Sequence, residues 1–511
     1  MGSTAIGNVD LVIVGGGPTG LTSAVLARSL GLSVYIIDAK DGPLEVGRAD
    51  ALNARTQQYL EVSGTLHSLL PQGITCNTSS TFEGGKFTSR QSQWWTSLAH
   101  THRPNFLMLG QSRVEEALRQ QLDISIDYGS HVVAIAETSE HVTVTTNRDK
   151  VIRAKYAIAS DGARSFVRRT LDIPFVGTKP EMVWAVLDTF LETDFPVCSE
   201  IISLQVDGQS RVAWIPRERG MARFYVLLDG EITQEKTEES IRAHMQPYKV
   251  SFLKTEWFST FEIKERVAET FISNSAEGRI LLAGDAAHVH AVNGGQGLNT
   301  GIADAFAMIW RLALVVKGHG SQDLLRTYDT ERREVAIGVI DVAAKLVRTT
   351  VKTALEYVDV IERNAGYITG MGVSYPPGSR LVRESKHGDF IAGQRCPDLH
   401  VRNLSEGKDN TQLERLYSIF KYGRFKIFII GGKANVSSEV TQRFSDVAEF
   451  WHVHNIPCAI GSGLPEYFAE WVQGDEDTVV VIRPDLYVGY AGAEWQDYLD
   501  GVFDSGKIQS L

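Results

Sequence analysis

The stretch Val9–Lys40, VDLVIVGGGPTGLTSAVLARSLGLSVYIIDAK, decides the fold. Residues 9–14 form a continuous apolar run of strand length, closed at once by Gly15–Gly20, GGGPTG. The next segment, 21–31, repeats its apolar positions with a helical period and stops at Gly31, a natural C-cap. Residues 32–40 read as a second buried strand. Strand, helix and strand in this order predict a parallel sheet with helical crossovers. A G-x-G-x-x-G pattern alone is weak, but here Gly15, Gly17 and Gly20 leave a buried strand and open a helix, which is the context that gives the motif meaning. Gly15 permits the tight turn, Gly17 lets a pyrophosphate approach the backbone, and Gly20 lets helix and strand pack closely. Pro18 and Thr19 complete the turn, and the helix N-terminus offers free N–H groups to an anion. Asp38 closes the second strand about 20 residues on, where a carboxylate can bond a ribose 2′-hydroxyl.

Further along, QSRVEEALRQQL (111–122) has helical spacing, and residues 131–160 read as three strands. From Val183 to Phe271 the pattern changes to alternation, which predicts an antiparallel sheet with one wet or ligand-facing side, interrupted by one helix around EESIRAHM. RILLAGDAAH (279–288) returns to a buried strand, followed by long helices from about Leu298 to about Val351. The Pro/Gly-rich segment Val373–Arg380 reads as a linker to a small C-terminal α/β domain with strands at FKIFII, TVVVIRP and LYVGY.

Within RILLAGDAAHVHAVNGGQGLNTGIADAF (279–306), a strand delivers Gly284–Asp285 to a loop, where the carboxylate can hold a sugar-alcohol chain such as ribityl. GGQGLNTG then opens a long helix and aims its positive end at something electron-rich. A flavin's N1–C2=O edge becomes negative on reduction, so a helix dipole there stabilises the reduced form. This second motif favours FAD over NAD. His288 and His290 have no third ligand nearby, so no metal is expected.

Composition bounds the rest. A chain of 511 residues is too long for one core and suggests about two to four domains. Its 43% hydrophobic and 22% charged content are those of an ordinary globular protein. A net charge of −11 without a basic stripe argues against a nucleic-acid partner. Cys76, Cys198, Cys396 and Cys458 form no C-x-x-C and no metal spacing, as in a reducing compartment. No secretory, mitochondrial, myristoylation or peroxisomal signal is seen, and no apolar run reaches roughly 18 residues. A cytoplasmic location with no membrane partner is the expectation.

Three fingerprints resemble the flavin-dependent aromatic hydroxylases of the p-hydroxybenzoate hydroxylase fold: GGGPTG, SDGARSFVR (160–168) and AGDAAHVH…GGQGLNTG (283–301). GRADALNART (47–56), IPRERGMARFYV and EWFSTFEIKERVAETF (256–271) place the chain nearest the phenol 2-monooxygenase branch. The resemblance runs from about Val9 to about Val351 and is fainter in the C-terminal domain, chiefly GQRCPDLHV and VVIRPDLYVGY. It implies an α/β fold: a Rossmann-like FAD-binding domain (1–180 and 272–370, the latter with the long helices), an inserted antiparallel-sheet substrate domain (181–271), and a thioredoxin-like domain (380–511) that lacks C-x-x-C and is structural.

The resemblance also implies roles. Ala39 and Lys40 would lie beside the ADP half of FAD, and Gly47, Arg48 and Ala49 would line the flavin's approach. Gln111, with Arg113, would contact the cofactor from its helix, and Asp161 would serve both FAD and the nicotinamide nucleotide. Asp285 and the turn Gly295, Gln296, Gly297, Leu298 and Asn299 would meet the ribityl chain and isoalloxazine. The substrate hydroxyl would be handled by Asp50, Arg217 and Tyr225. NADPH or NADH supplies electrons, O2 is co-substrate, a flavin C4a-hydroperoxide is the oxidant, and a homodimer is expected. Val292 stands where the family commonly has proline, which loosens the backbone near the flavin's reacting edge, and Ala51 replaces a usual glycine.

Arg217 and Tyr225 can share a sheet face only if the hairpin loop between them is odd in length. A three-residue ERG turn with Gly220 left-handed meets that condition. Ionising a phenol of pKa near 10 at neutral pH costs roughly 4 kcal/mol. An arginine beside a Tyr225–Asp50 relay would lower that cost by favouring tyrosinate or phenolate. The same oxidant also serves epoxidation, dearomatising or decarboxylative hydroxylation and Baeyer–Villiger insertion. An NAD-linked dehydrogenase, which would have to explain the second glycine motif, and a non-catalytic nucleotide-binding module are more distant alternatives.

Overall fold

In the computed structural model, residues 4–93, 95–196, 200–206, 209–275, 277–291, 295–350, 354–404, 412–431, 436–473 and 477–503 are described. Strand Thr4–Val14 runs parallel to Val34–Ile37, with Leu11 opposite Val34, and parallel to Lys150–Ala159, with Val14 opposite Ala159. Ile126–Asp127 and Ile280–Leu282 add parallel strands, and Val142–Thr146 with Val132–Glu137 adds an antiparallel pair. Residues 11–14 are buried, as an all-apolar strand must be when both sheet faces are covered. Thr4–Val14, Lys150–Ala159 and Ile280–Leu282 all end at one edge, where their chains continue as Gly15, Ser160 and Ala283–Gly284. The three fingerprints therefore meet at the carboxyl ends of parallel strands, the usual ligand crevice of such sheets.

The second sheet has seven strands in the order Val250–Glu262, Val183–Thr193, Ala222–Leu227, Gln209–Pro216, Ile201–Val206, Thr78–Glu83 and Lys86–Gln93. Two of these strands come from inside the 1–180 segment, and Ile201–Val206 pairs with Thr78–Glu83 in parallel, so the sheet is mixed rather than wholly antiparallel. The 78–93 hairpin is polar and carries no apolar alternation, so its pairing, remote in sequence, is not legible there. One sheet face, with Ala185, Leu187, Trp214 and Phe224, packs beneath helix Gln234–His244. The opposite face, with Trp184, Asp188, Arg223 and Tyr225, turns toward the first sheet.

In the C-terminal domain, Phe425–Ile430 and Ala448–His454 are parallel and continue into Glu466–Phe468, while Thr478–Ile482 and Val488–Ala491 are antiparallel. The segment expected to be a linker is packed: Val373 and Tyr375 are buried with Val335, Val339 and Tyr487, and Tyr375 N–H donates to the Gly393 carbonyl at 2.8 Å. Helix Gln296–Val316 is long and apolar enough to cross a membrane by length and composition, contrary to the run-length reading, yet 83% of its most apolar window is buried within the fold. The Tyr422 hydroxyl enters that helix, accepting from Trp310 N–H at 2.9 Å and donating to the Phe306 carbonyl at 2.8 Å.

Arg311 on that helix, Glu331 on helix Gln322–Thr350, and Arg483 and Asp485 of the C-terminal domain form a buried cluster of two cations and two carboxylates. Arg483 reaches Glu331 at 2.8 and 2.7 Å and Asp485 at 3.0 and 2.7 Å, and Arg311 reaches Glu331 at 2.5 Å. Buried charges survive only when each is matched, so removing one partner is far worse than removing a surface pair. Glu331→Gln is expected to lower unfolding free energy by about 3–5 kcal/mol in urea titration. Arg443→Ala, which breaks the more exposed pair with Asp500, should cost no more than about 1 kcal/mol.

Candidate active site

Gly15 has φ +109°, and a Cβ there would collide with the Ser160 carbonyl. A Cβ on Gly20 would collide with the Gly15 carbonyl, whereas one on Gly17 would meet nothing within 4 Å. The tight positions shape the loop, and the open one leaves room for a ligand. Helix Pro18–Ser29 begins with no capping side chain and no acidic residue in its first turn, so its N–H groups and positive end stay available to an anion. Asp38 Oδ2 accepts from Gly16 N–H at 2.8 Å and Oδ1 from Lys40 N–H at 2.8 Å. It anchors the glycine loop while keeping lone pairs for a ribose hydroxyl. Lys40 Nζ lies 3.6 Å from Asp38 and 3.9 Å from the buried Glu115. Burial raises the Glu115 pKa above its ordinary value.

Helix Gln296–Val316 also starts without a side-chain cap, from Gly295 at φ +62°. Asp285 is accessible yet surrounded by protein, and this surrounding raises its pKa despite the opposing charges of His288 and Arg48. Gln296 is 2% exposed and its Nε2 has no hydrogen-bond partner among the described residues. A long ligand with hydroxyls and an electron-rich edge suits these groups. Asp304, fully buried, holds the loop by accepting from Gly284 N–H at 2.9 Å and pairing with His288 at 2.7 Å and Arg332 at 2.8 Å. Arg168 donates to the Ala286 carbonyl at 2.7 Å and joins the second fingerprint to the third.

The mixed sheet supplies the opposite wall. The hairpin loop is Glu218–Arg219–Gly220, closed by Arg217 N–H donating to the Met221 carbonyl at 3.0 Å. Arg219 as well as Gly220 is left-handed, at φ 63° and 73°. The odd loop places Arg217, Arg223 and Tyr225 on one face. Arg223 stands opposite Asp188 in register and is bonded to it twice at 2.6 Å. Its Nη1 donates to the Arg48 carbonyl at 2.5 Å and lies 3.3 Å from Asp50 and 3.4 Å from the Tyr225 hydroxyl. The Tyr225 hydroxyl is 3.5 Å from Asp50 Oδ2. Arg217 instead grips Glu218 at 2.9 Å through two nitrogens and Asp188 at 3.3 Å.

A family profile described as FAD binding domain matches residues 8–343. The chain is 30% identical to FAD-dependent monooxygenase terD of Aspergillus terreus, over 85% of this chain and 76% of that protein. It is 28% identical to phenol 2-monooxygenase fsqG of Aspergillus fumigatus, over 90% of this chain and 82% of that one. Among solved structures, OxyS anhydrotetracycline hydroxylase from Streptomyces rimosus superposes with TM-score 0.75 at 25% identity, covering 97% of this chain and 99% of that one. This chain is an FAD-dependent monooxygenase. The open Gly17, the two uncapped helix starts and the unpaired Gln296 Nε2 fit the cofactor that the family carries.

Most residues expected to hold FAD surround this edge of the flavoprotein, with individual differences. Gln111 is tied to Ala49 in both directions, accepting from Ala49 N–H at 3.3 Å and donating its own N–H to the Ala49 carbonyl at 2.9 Å. Arg113 pairs with Glu116 at 3.0 Å on the surface. The Asn299 side chain serves the protein itself, donating to the Ala51 carbonyl and accepting from Asn53 N–H, both at 2.9 Å. Asp161 Oδ2 accepts from Val167 N–H at 3.1 Å, while Oδ1 is buried without a partner. Arg48 adopts φ 67°, and its neighbour Gly47 lies against the Trp257 ring, where no side chain would fit. Val292 lies outside the described residues.

The arginine beside Tyr225 and Asp50 is Arg223, not Arg217. Position i+2 from Arg223 to Tyr225 puts both on the same strand face, a spacing readable in the sequence, but the pairing with Asp188 needed the sheet register. The expected tyrosinate is also corrected. Burial and then Asp50 raise the Tyr225 pKa well above 10, and Arg223 does not overcome them, so the phenol stays protonated. Burial raises the Glu218 carboxyl too, but Arg217 outweighs it and holds Glu218 below its ordinary value.

Gly17→Val should leave the apoprotein's melting temperature unchanged while weakening FAD binding by at least about 100-fold in fluorescence titration. Gly15→Val should lower stability by more than about 2 kcal/mol, because its clash is with backbone.

Proposed function

We propose that this flavoprotein hydroxylates a phenolic substrate, with NADPH or NADH as electron donor and O2 as co-substrate. The observation that carries the reading is the Tyr225 hydroxyl set between Asp50 and Arg223 on the sheet face that looks toward the flavin motifs. FAD, when bound, would carry the electrons of the nicotinamide and activate O2, and this chain's residues supply the rest.

Tyr225 packs against two apolar clusters, one with Trp95, Phe106 and Leu346 and one with Trp184 and Val347. An aromatic ring entering between them loses its water and brings its hydroxyl to Tyr225. The substrate O–H donates to the Tyr225 oxygen, and the Tyr225 O–H donates to Asp50. As the ring becomes electron-rich, the proton moves along this path toward Asp50, while Arg223 offsets the charge left on the phenolic oxygens. Because Tyr225 stays protonated, it passes a proton on and does not wait as tyrosinate. Asp188 fixes the guanidinium through two bonds, and Arg217 with Glu218 braces Asp188 from behind. Glu218 also accepts from Gly110 N–H at 3.2 Å, which sets the start of the Gln111 helix against the hairpin.

The C-terminal domain we read as thioredoxin-like, on its parallel strands continuing into an antiparallel pair. We read it as structural, since its two cysteines, Cys396 buried and Cys458 exposed, form no C-x-x-C.

Tyr225→Phe is expected to lower the hydroxylation rate by about 10²–10⁴-fold, with FAD binding intact. Because the Tyr225 pKa is raised, its proton is present from pH 6 to 9.5, so the variant's pH–rate profile should keep the wild-type shape at reduced height. Arg223→Met should cost more activity than Arg217→Met, measured as kcat/KM for the same phenol. A larger loss in Arg217→Met would return the primary role to Arg217, and equal losses would remove the distinction between them.

A further inference from the structure

The face that carries Tyr225 has one more buried polar atom that no described residue bonds. Trp184 is 4% exposed, and its indole Nε1 has no hydrogen-bond partner among the described residues. Trp184 lies opposite Leu227 while Tyr225 lies opposite Val186, so the two aromatics are diagonal neighbours, roughly 7 Å apart at the backbone. Both pack in one cluster with Phe261 and with Ala291, which leads toward the helix that starts at Gln296. A buried donor is normally paired, so an orphan in the cluster that holds Tyr225 marks a place for an acceptor. Water can fill it when the cavity is empty, and a ligand that displaces that water must replace the bond.

The charge around Tyr225 adds a second constraint. Arg217 and Arg223 face Asp50, Asp188 and Glu218, two cations against three carboxylates, a net charge of −1 when all are ionised. All five are at least nine-tenths buried. Both guanidinium groups are occupied by these carboxylates, and a substrate carboxylate would be repelled at low dielectric.

We propose that the substrate is an uncharged phenol bearing a second oxygen acceptor, such as a ketone carbonyl, away from the reacting hydroxyl, and that Trp184 Nε1–H binds that oxygen. The inference rests on the phenol-hydroxylase reading and names the substrate class for the same site. Trp184 is then the specificity residue: it distinguishes phenols by a group that takes no part in the proton path.

Three probes of similar size test it on the FAD-loaded enzyme: 3-hydroxyacetophenone, 3-ethylphenol and 3-hydroxybenzoate. Dissociation constants are read from perturbation of the flavin absorbance, alongside stimulation of NADPH and NADH oxidation. The ketone should bind about tenfold tighter than 3-ethylphenol, and 3-hydroxybenzoate at least about tenfold weaker than the ketone. In Trp184→Phe, which keeps an aromatic ring and removes the N–H, the ketone-to-ethyl ratio should fall to about one. Equal binding of ketone and ethyl probes by the wild type, a ratio that survives in Trp184→Phe, or tightest binding of the carboxylate would each overturn the proposal. The wild-type ratios decide on their own if the variant does not fold or retain its yellow colour. If none of the three phenols perturbs the flavin or speeds nicotinamide oxidation, the phenol-hydroxylase reading falls and this inference with it. Binding without discrimination removes only the inference.

Discussion

The guanidinium of Arg223 is the constraint on which the site depends. It is fully buried on the inner face of the mixed sheet, held by Asp188, and it reaches across to the Arg48 carbonyl and to Asp50. A lone buried cation would be intolerable, and the acceptors that satisfy it come from two different parts of the chain. The segment 47–53 is thereby pinned to the sheet. The same segment is pinned on its other side by Asn299 of the long helix and by Gln111. One chain of polar contacts thus runs from the mixed sheet to the helix start at which the flavin motif lies.

The cofactor side is built differently. Its geometry comes from three parallel strands ending together and from two helices that begin without side-chain caps. Asp304 and Arg168 then fix the loops relative to one another. Burial raises Asp304, but His288 and Arg332 outweigh that and keep its carboxyl below the ordinary range, as suits a hub that must remain ionised to hold three partners. The C-terminal domain braces the far end of the same helix through Tyr422, Arg483 and Asp485, so helix, sheet and terminal domain form one continuous packing unit.

Legibility followed locality. Gly15, Gly17, Gly20 and Asp38 act within one βαβ unit, and each behaves as its position in the motif requires. The odd hairpin loop was legible for the same reason, since the parity of a short turn decides which residues share a face. Arg217 was named for the substrate site, but it meets Glu218 and Asp188, while Arg223 takes the place beside Tyr225. Nothing local distinguishes the two arginines, because the deciding partner, Asp188, is 35 residues from Arg223 along the chain. The polar hairpin at 78–93 and the packed connection at 373–380 were missed because their partners are remote in sequence.

By itself the sequence determined the parallel flavin-binding sheet, its glycine turns, the second helix start and the presence of an alternating sheet, because each is written in hydrophobic period and in turn residues. Only the tertiary structure decided which arginine neighbours Tyr225, that the tyrosine's pKa is raised, and which indole N–H lacks a partner among the described residues. Those outcomes depend on strand register and on the local balance of buried charge. Both are set by contacts between residues far apart in the chain, and no spacing pattern encodes them.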